Sequence, residues 1–169
     1  PEVVIEATTT EDIAAIVNVC YENSIPVIPR GAGTGLTGAA VAVDGGVMID
    51  MTKMNKILGY DLENFVVRVE PGVLLNDLAE DAQKQGLLYP PDPGEKFATL
   101  GGNVSTNAGG MRAVKYGCTR DYVRAMTVVL PTGEIVKMGA TVSKTSTGYS
   151  LLNLMIGSEG TLGIITELT

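Results

Sequence analysis

The sequence predicts an α+β fold, in which helices and antiparallel strands both occur along one chain. Apolar residues recur with the helical period at Ile13, Val17 and Cys20, whereas other short runs of β-branched residues flank turn signals. Its 169 residues are enough for one domain or for two small lobes that share a core, and an apolar content of 45% is enough to pack that core.

The first elements follow a β-α-β pattern. Thr9 or Thr10 is expected to cap a helix that ends at Asn23. Short apolar runs before and after this helix predict strands, the second of which leads directly into a glycine-rich stretch. These elements predict a small lobe over about 1–52 and a larger lobe over about 53–169, with the boundary near 51–55. The predicted strands of the small lobe are 3–5, 26–29 and 47–50.

The rest of the chain predicts hairpins, short helices and one ordered loop. Gly86 is expected to end the first of these helices, and the proline-rich run Tyr89–Gly94 cannot be a helix or a central strand. In order, the predicted elements are a hairpin over 56–70, a helix over 74–85, a hairpin over 125–138, a helix over 150–156 and a strand over 162–168.

Composition excludes several classes of function. Nineteen acidic and twelve basic residues give a net charge of −7, and no cluster of lysine or arginine indicates a nucleic-acid partner. The apolar runs are far shorter than the roughly 18 residues of a membrane-spanning helix. There is no histidine, so the commonest general base and metal ligand is missing. If this domain takes part in catalysis, another group must perform the proton chemistry.

The two cysteines indicate the redox environment of the chain, and its two ends indicate whether it is part of a longer protein. Cys20 and Cys118 are far apart and belong to no C-x-x-C pair, which favours free thiols in a reducing compartment. The first residue is Pro1, and the last residues stop within a predicted strand. We therefore expect a fragment of a longer protein.

Glycine is concentrated in two segments. Six glycines lie between Arg30 and Gly46, and six more lie between Gly94 and Gly117. Glycine loses the most backbone freedom on folding, so such density requires a reason. Close approach of the main chain to an extended, phosphate-bearing ligand would supply that reason.

The first segment matches the sequence pattern of a dinucleotide-binding fingerprint but lacks its structural context. Gly33-x-Gly35-x-x-Gly38 fits the pattern, but the β-branched stretch that follows is too short for the helix that a Rossmann site requires. What remains is a run of small residues whose N–H groups can form an anion-binding nest. Arg30 is expected either to add charge to this nest or to form an ordinary salt bridge.

Five motifs together resemble the flavin-binding domain of the FAD-linked oxidases related to vanillyl-alcohol oxidase. The similarity is greatest to the branch of glycolate oxidase flavoprotein subunits and D-lactate or D-2-hydroxyglutarate dehydrogenases, and it covers nearly the whole chain. The motifs are Ile25–Gly35, Val69–Val73, Tyr89–Gly94, Leu100–Gly110 with Lys115-Tyr116-Gly117, and Gly157–Thr166.

The resemblance implies a two-lobed PCMH-type domain, with a small β-α-β lobe, a larger lobe containing an antiparallel sheet with flanking helices, and FAD extended between them. The pyrophosphate would lie on the 30–38 loop, and residues near 159–165 would close the adenine end. The cofactor-binding residues implied in this way are Pro29, Arg30, Gly31, Ala32, Gly33, Thr34, Gly35, Leu36, Gly38, Pro71, Gly72, Pro91, Asp92, Gly94, Leu100, Gly101, Gly102, Thr106, Asn107, Gly109, Gly110, Tyr116, Gly117, Glu159, Gly160, Gly163, Ile164 and Ile165.

Two interpretations remain for several side chains. The polar residues Asn103, Ser105, Thr106 and Asn107 either contact the flavin ring or ribityl hydroxyls, or cap a short helix that begins near Gly101. The resemblance favours contact for Thr106 and Asn107. Tyrosines 116 and 149 either stack near the cofactor or are half-buried core residues.

The resemblance also implies how FAD is held and what it does. Relatives that attach FAD covalently carry a histidine in the pyrophosphate loop, where this chain has Thr34, or a cysteine before the Gly-Gly pair, where it has Phe97-Ala98. FAD is therefore expected to bind non-covalently. The implied parent protein is an FAD-dependent oxidoreductase that oxidises a small 2-hydroxy acid, such as glycolate or D-lactate, to the 2-oxo acid.

The remaining expectations concern partners. The resemblance implies that the substrate groups, the base and any metal ligands come from a C-terminal cap domain, so no catalytic residue and no metal site is expected in this chain. The isolated fragment is therefore expected to be inactive. An electron-acceptor subunit is a further expected partner. The expected location is the cytoplasm, or the periphery of a membrane through partner subunits. The alternative is a flavin- or nucleotide-binding module of a parent that acts on a different alcohol, or that is not catalytic.

Overall fold

A computed structural model describes all 169 residues, Pro1–Thr169. It contains two sheets and five α-helices. The strands are β1 Val3–Glu6, β2 Val27–Arg30, β3 Val47–Asp50, β4 Ile57–Asp61, β5 Val66–Val69, β6 Ala125–Val129, β7 Ile135–Gly139 and β8 Ile164–Leu168. The helices are α1 Thr10–Glu22, α2 Leu75–Lys84, α3 Leu100–Ser105, α4 Ala113–Tyr116 and α5 Leu151–Met155, with a 3-10 helix at Thr119–Tyr122.

The small sheet is parallel, in the order β1-β3-β2. Helix α1 connects β1 and β2, and its start is fixed by a capping box: the Asp12 N–H donates to the Thr9 hydroxyl, and the Thr9 N–H donates to the Asp12 carboxylate. Its buried side chains, Ile13, Val17 and Cys20, follow the helical period. The predicted β-α-β opening is confirmed.

The large sheet is antiparallel, in the order β4-β5-β8-β6-β7. Its outer pairs are the two predicted hairpins, and β8, the last strand of the chain, lies between them. Strand β8 pairs with β6 over most of its length and with β5 through Val69 and Leu168. With one parallel and one antiparallel sheet, the predicted α+β fold is confirmed.

A shared core joins the two sheets. On β6, Met126 and Val128 belong to the larger apolar cluster with α2, α3 and α5. The next residue, Val129, belongs to a second cluster that contains Ile13 of α1 and Ile49 of β3. Successive strand residues face opposite sides of a sheet, so α1 packs on the face of the antiparallel sheet opposite to α2 and α3. This packing on both faces of the antiparallel sheet fixes the edge along which the two sheets meet.

The second glycine segment begins with the short helix that the sequence left open as one alternative. It is not a loop at its start: Leu100–Ser105 is helix α3, with Thr99 as its N-cap. The short helix of the second interpretation is therefore present, and contact of its polar residues with FAD stays a prediction. Helix α4 and the 3-10 helix follow within a stretch for which the sequence predicted no element, and β8 begins at Ile164 rather than 162.

Candidate functional site

A cleft lies where the two sheets meet. It encloses about 880 Å³ of space between protein atoms, counting its open mouth. Its walls come from the loop after β2, the start of α3 and the turn before β8. The lining residues are Pro29, Arg30, Gly31, Ala32, Gly33, Thr34, Gly35, Thr37, Ala39, Ala40, Met51, Pro71, Ala98, Thr99, Gly101, Gly102, Asn103, Ser105, Thr106, Glu159, Gly160, Gly163, Ile164 and Ile165.

The loop after β2 presents free backbone donors. The last contact of β2 is the Met51 N–H donating to the Arg30 carbonyl at 2.9 Å, after which the chain leaves the sheet. No backbone N–H from Gly31 through Ala40 donates to another part of the protein. Successive unpaired N–H groups form a concave surface that suits an anion.

Arg30 is the cation of this loop. Its guanidinium lies against its own loop, because a Cβ added at Gly33 would be 2.6 Å from the Arg30 Nε atom. Gly33 also has a φ of +73°, which glycine adopts at little cost. None of the three salt bridges in the chain involves Arg30, so its charge is available to a ligand.

Helix α3 uses its first N–H groups within the protein. The Leu100 N–H donates to the Val73 carbonyl and the Gly101 N–H to the Pro71 carbonyl, both at 2.8 Å. The Gly102 N–H donates to the Thr99 hydroxyl at 3.3 Å. The cleft wall at α3 therefore offers ligands its side chains rather than its main chain.

The turn before β8 closes one end of the cleft. The Glu159 N–H donates to the Ser105 carbonyl at 2.8 Å, which ties this turn to the end of α3. The Thr37 hydroxyl donates to the Glu159 carboxylate, also at 2.8 Å. This bond links the loop after β2 to the turn.

The cleft carries few charges. Arg30 and Glu159 are its only charged lining residues. The other polar side chains, Thr99, Asn103 and Thr106 among them, are neutral. Such a site can bind and orient a ligand through neutral side chains and one charge of each sign.

The structure gathers many of the residues predicted from the sequence, but not all of them. Those that line the cleft are Pro29, Arg30, Gly31, Ala32, Gly33, Thr34, Gly35, Pro71, Gly101, Gly102, Thr106, Glu159, Gly160, Gly163, Ile164 and Ile165. Those outside its lining are Leu36, Gly38, Gly72, Pro91, Asp92, Gly94, Leu100, Asn107, Gly109, Gly110, Tyr116 and Gly117.

Several of the outlying residues have evident structural partners. Leu100 is a core residue, 3% exposed, and Asp92 pairs with Arg112 at 3.3 Å. The Asn107 side-chain oxygen accepts a hydrogen bond from the Arg120 N–H at 3.0 Å. Tyr149 is 98% exposed, so it is not a half-buried core residue, and it lies outside the cleft lining.

Sequence reasoning missed other lining residues. Thr37, Ala39 and Ala40 belong to the same small-residue run as the predicted loop, and that run was the available signal. Met51 and Ala98 gave none, because apolar side chains at the ends of elements usually belong to a core.

A second cavity lies between α2 and the antiparallel sheet. It is mostly apolar, with 15 hydrophobic residues among 18 in its lining. Tyr60 there donates to Asp81 at 2.9 Å, and burial together with that carboxylate raises the pKa of Tyr60 to about 12. Burial, with Tyr122 nearby, likewise raises the pKa of Tyr89 to about 12. Of the predicted cofactor residues only Leu100 lines this cavity, so the cleft is the better candidate.

No helix is long and apolar enough to cross a membrane. No three acidic, cysteine or histidine side chains are grouped as metal ligands.

Comparison with known proteins gives a consistent result. The family model described as an FAD binding domain matches residues 1–139. The chain is 82% identical to a D-lactate dehydrogenase of Anaerostipes hadrus over 169 residues, which are all of this chain and 36% of that protein. It is 45% identical to the glycolate oxidase subunit GlcD of Bacillus subtilis, over 99% of this chain and 36% of that protein.

A solved structure shares the fold. The chain superposes on alkyldihydroxyacetonephosphate synthase with a TM-score of 0.83 at 30% identity, over 98% of this chain and 32% of the other. The chain thus spans about a third of the length of the proteins it matches.

Proposed function

Because the chain belongs to the FAD binding domain family, we propose that it is the flavin-binding part of an oxidoreductase that oxidises a small 2-hydroxy acid to the 2-oxo acid. The assignment of the binding site rests on the run of unpaired N–H groups from Gly31 to Ala40. The substrate class rests on the similarity to a D-lactate dehydrogenase and a glycolate oxidase subunit.

The residues of the cleft fit FAD. Its diphosphate carries two negative charges, whereas the chain has a net charge of −7, so the overall field does not favour binding. Local donors must supply the attraction, and the 31–40 loop has them next to the Arg30 guanidinium. A Cβ added at Gly35 would meet nothing within 4 Å, so the main chain there is open to close contact with the diphosphate.

The rest of the cleft suits the neutral parts of the cofactor. The wall at α3 is lined by hydroxyl and amide side chains, and the floor by Ile164 and Ile165 of β8. We propose that FAD lies extended between the two lobes, 1–52 and 53–169, and that the predicted contacts in the cleft lining hold it. Thr37 and Glu159, joined by their hydrogen bond, would fix the loop against one end of the ligand.

The chemistry divides between the cofactor and the protein. When bound, FAD supplies a ring that accepts a hydride from the α-carbon of the substrate. The residues of this chain bind and orient, and we assign no catalytic residue among them, because Arg30 and Glu159 are the only charges in the cleft lining. We propose that the groups that bind the substrate carboxylate and remove its hydroxyl proton lie outside these 169 residues, in a cap domain.

Three finer features are part of the same proposal. FAD is held non-covalently, since Thr34 stands in the diphosphate loop and Ala98 precedes the start of α3. The electrons pass to an acceptor subunit or another acceptor. The protein works in a reducing compartment such as the cytoplasm, directly or at a membrane periphery through partners, in keeping with the free thiols of Cys20 and Cys118.

Ligand titration tests the cofactor assignment. FAD, NAD and ATP are each titrated into the purified chain, followed by flavin fluorescence for FAD and by thermal shift for all three. We expect FAD to bind and to raise the melting temperature most. Equal or tighter binding of NAD would contradict the assignment.

A second test addresses the substrate. The FAD-loaded chain, and the same chain with the remaining residues of its gene, are mixed with D-lactate or glycolate without oxygen, and the flavin absorption is followed. We expect bleaching only with the longer protein. Bleaching of the short chain at about 1 per second or faster would place the catalytic groups within these residues.

A further inference from the structure

Strand β5 is paired along only part of one of its edges. On one side all four of its residues pair with β4, whereas its pairing with β8 on the other side consists of Val69 with Leu168 alone. The Glu70 N–H donates to the Lys56 carbonyl on the β4 side. Because backbone groups of successive strand residues point to opposite edges, those of Val69 and Val67 point towards β8. Val67 has no strand partner there, so an edge inside the sheet is left open.

The apolar cavity between α2 and the antiparallel sheet lies at this gap. Its lining includes Val67 on the β5 side and Val123, just before β6, on the other side. Thr169 also lines the cavity, and its N–H donates to the Ala125 carbonyl at 2.8 Å, which sets the direction of β8. Val67 and Val123 therefore flank the path that β8 takes if it continues in register.

The walls of the cavity favour an apolar occupant. Fifteen of its 18 lining residues are hydrophobic. Two of them, Phe65 and Leu88, are 75% and 64% exposed, and exposed apolar surface of this kind marks a contact region. The Leu168 side chain belongs to the core shared with α2 and α3, and alternate strand residues share a face. A strand that continues in register thus directs the side chains at positions 170 and 172 into the cavity.

We infer that β8 continues beyond Thr169 in the longer protein, pairs with Val67 and fills this cavity with apolar side chains at positions 170 and 172. The inference rests on the proposed function only in taking the chain as part of a longer protein. The chain spans 36% of the D-lactate dehydrogenase to which it is 82% identical. Because β8 also supplies Ile164 and Ile165 to the cleft, one strand then joins the proposed FAD site to the part of the protein that follows it.

Amide hydrogen exchange tests the inference, in the 169-residue chain and in the same chain with the remaining residues of its gene. The Val67 amide should exchange about 100-fold more slowly in the longer protein, because a strand accepts its N–H only there. The control is the amide of Val128, which pairs with strands on both sides and should be protected in both proteins.

Three results would overturn the inference. The first is rapid exchange of the Val67 amide in the longer protein. The second is protection of that amide that is lost on dilution, which would identify a second copy of the protein as the occupant. The third is a gene that encodes charged residues at both 170 and 172.

A substitution provides an independent measurement. Val67→Asp places a carboxylate in a cavity that is open to water in the 169-residue chain and filled in the longer protein. The melting temperature of the longer protein should fall by about 5 °C or more, and that of the short chain by less than about half as much. Ile135→Asp is the control, since Ile135 is 44% exposed on β7 and outside the cavity, and its small effect should be the same in both proteins.

Equal effects of Val67→Asp on the two proteins would contradict the inference. A titration of the longer protein with FAD separates this inference from the proposed function. A protected Val67 amide without FAD binding would support the inference and contradict the proposed function. An unprotected Val67 amide with FAD binding would do the opposite.

Discussion

The two glycine-rich segments have similar composition, but their backbone N–H groups differ in whether they donate hydrogen bonds within the protein. Between Gly31 and Ala40, no backbone N–H donates within the protein, whereas at the start of α3 the N–H groups of Leu100, Gly101 and Gly102 all do. The first segment keeps its donors for a ligand, and the second uses them to attach a helix to the neighbouring chain. Counting glycines does not separate these roles, but following each backbone donor to its acceptor does.

The space around individual glycines also differs. Gly31, Gly33, Gly45 and Gly46 of the first segment are closely packed within the protein, but Gly35 and Gly38 are not. A Cβ at Gly101 would lie 2.6 Å from the Pro71 Cβ, and one at Gly110 would collide with the Asp92 carbonyl. A Cβ at Gly35 or Gly38 would meet nothing within 4 Å. Most glycines of the second segment are thus required by contacts within the protein. In the first segment, open space at Gly35 leaves close ligand approach as the reason for glycine.

The largest effect is expected for Gly101→Ala. The added methyl would press α3 away from Pro71, and overpacking of this kind costs about 1–3 kcal/mol in the free energy of unfolding. Urea denaturation of the ligand-free chain measures it. Gly102→Ala is the control in the same helix, since its Cβ would meet only the Thr99 hydroxyl, at 3.1 Å. Equal stability of the two variants would contradict the packing role of the second segment.

Gly35→Ala should weaken FAD binding and leave the stability of the ligand-free chain almost unchanged, the reverse of what is expected for Gly101→Ala. Its φ is outside the left-handed region and its surroundings are open, so the ligand-free chain should keep its stability or gain up to about 1 kcal/mol. FAD affinity should fall about tenfold or more, because the methyl would occupy the surface that faces the diphosphate. Calorimetry measures the affinity.

Gly148→Ala is the control for that loss, as its Cβ also meets nothing within 4 Å and it lies outside the cleft lining, although its φ of +63° makes the substitution itself cost about 1 kcal/mol in stability. FAD affinity should be unchanged in this variant. An unaltered FAD affinity in Gly35→Ala would show that the diphosphate does not approach this loop.

A smaller effect is expected for Thr37→Val. The substitution removes the hydrogen bond to Glu159 that links the first segment to the turn before β8. Both residues are exposed, so the free energy of unfolding should change by less than about 0.5 kcal/mol. FAD affinity should fall by about threefold, since the loop must then be ordered by the ligand. A loss as large as that of Gly35→Ala would mean that Thr37 itself contacts the ligand.

The smallest effect is expected from pH. Neither 31–40 nor 99–110 contains a titratable side chain, and the chain has no histidine, the side chain whose ordinary pKa lies near neutrality. FAD affinity should therefore vary less than about twofold between pH 6 and pH 8. A steep dependence, measured by titration at several pH values, would reveal a charged group in the site that this account omits.

The sequence was most informative where local signals and packing agree. Thr9 and Thr10 predicted the start of α1, where the structure has the capping box of Thr9 and Asp12. Apolar runs on either side of turn signals located both hairpins. The sequence also indicated the cleft loop, because the small residues after Arg30 fit no helix or strand. These features depend on neighbours along the chain, which the sequence displays directly.

What the sequence did not reveal depends on contacts between distant residues. The sequence left open whether a short helix begins near Gly101. Gly101 and Gly102 do lie in α3, and the Pro71 and Val73 carbonyls, which are distant in sequence, accept the first N–H groups of that helix. Met51 lines the cleft only because β3 ends beside β2. Asn107 was expected to contact FAD, and its side chain bonds to Arg120, 13 positions later.

Amide hydrogen exchange with and without FAD tests the contrast between the two segments most directly. Without ligand, the amides of 31–40 should exchange rapidly and those of Gly101 to Val104 slowly, because only the latter are hydrogen-bonded within the protein. With saturating FAD, protection should appear across 31–40 and change little in α3. New protection confined to α3, with the 31–40 amides still exchanging rapidly, would contradict the account.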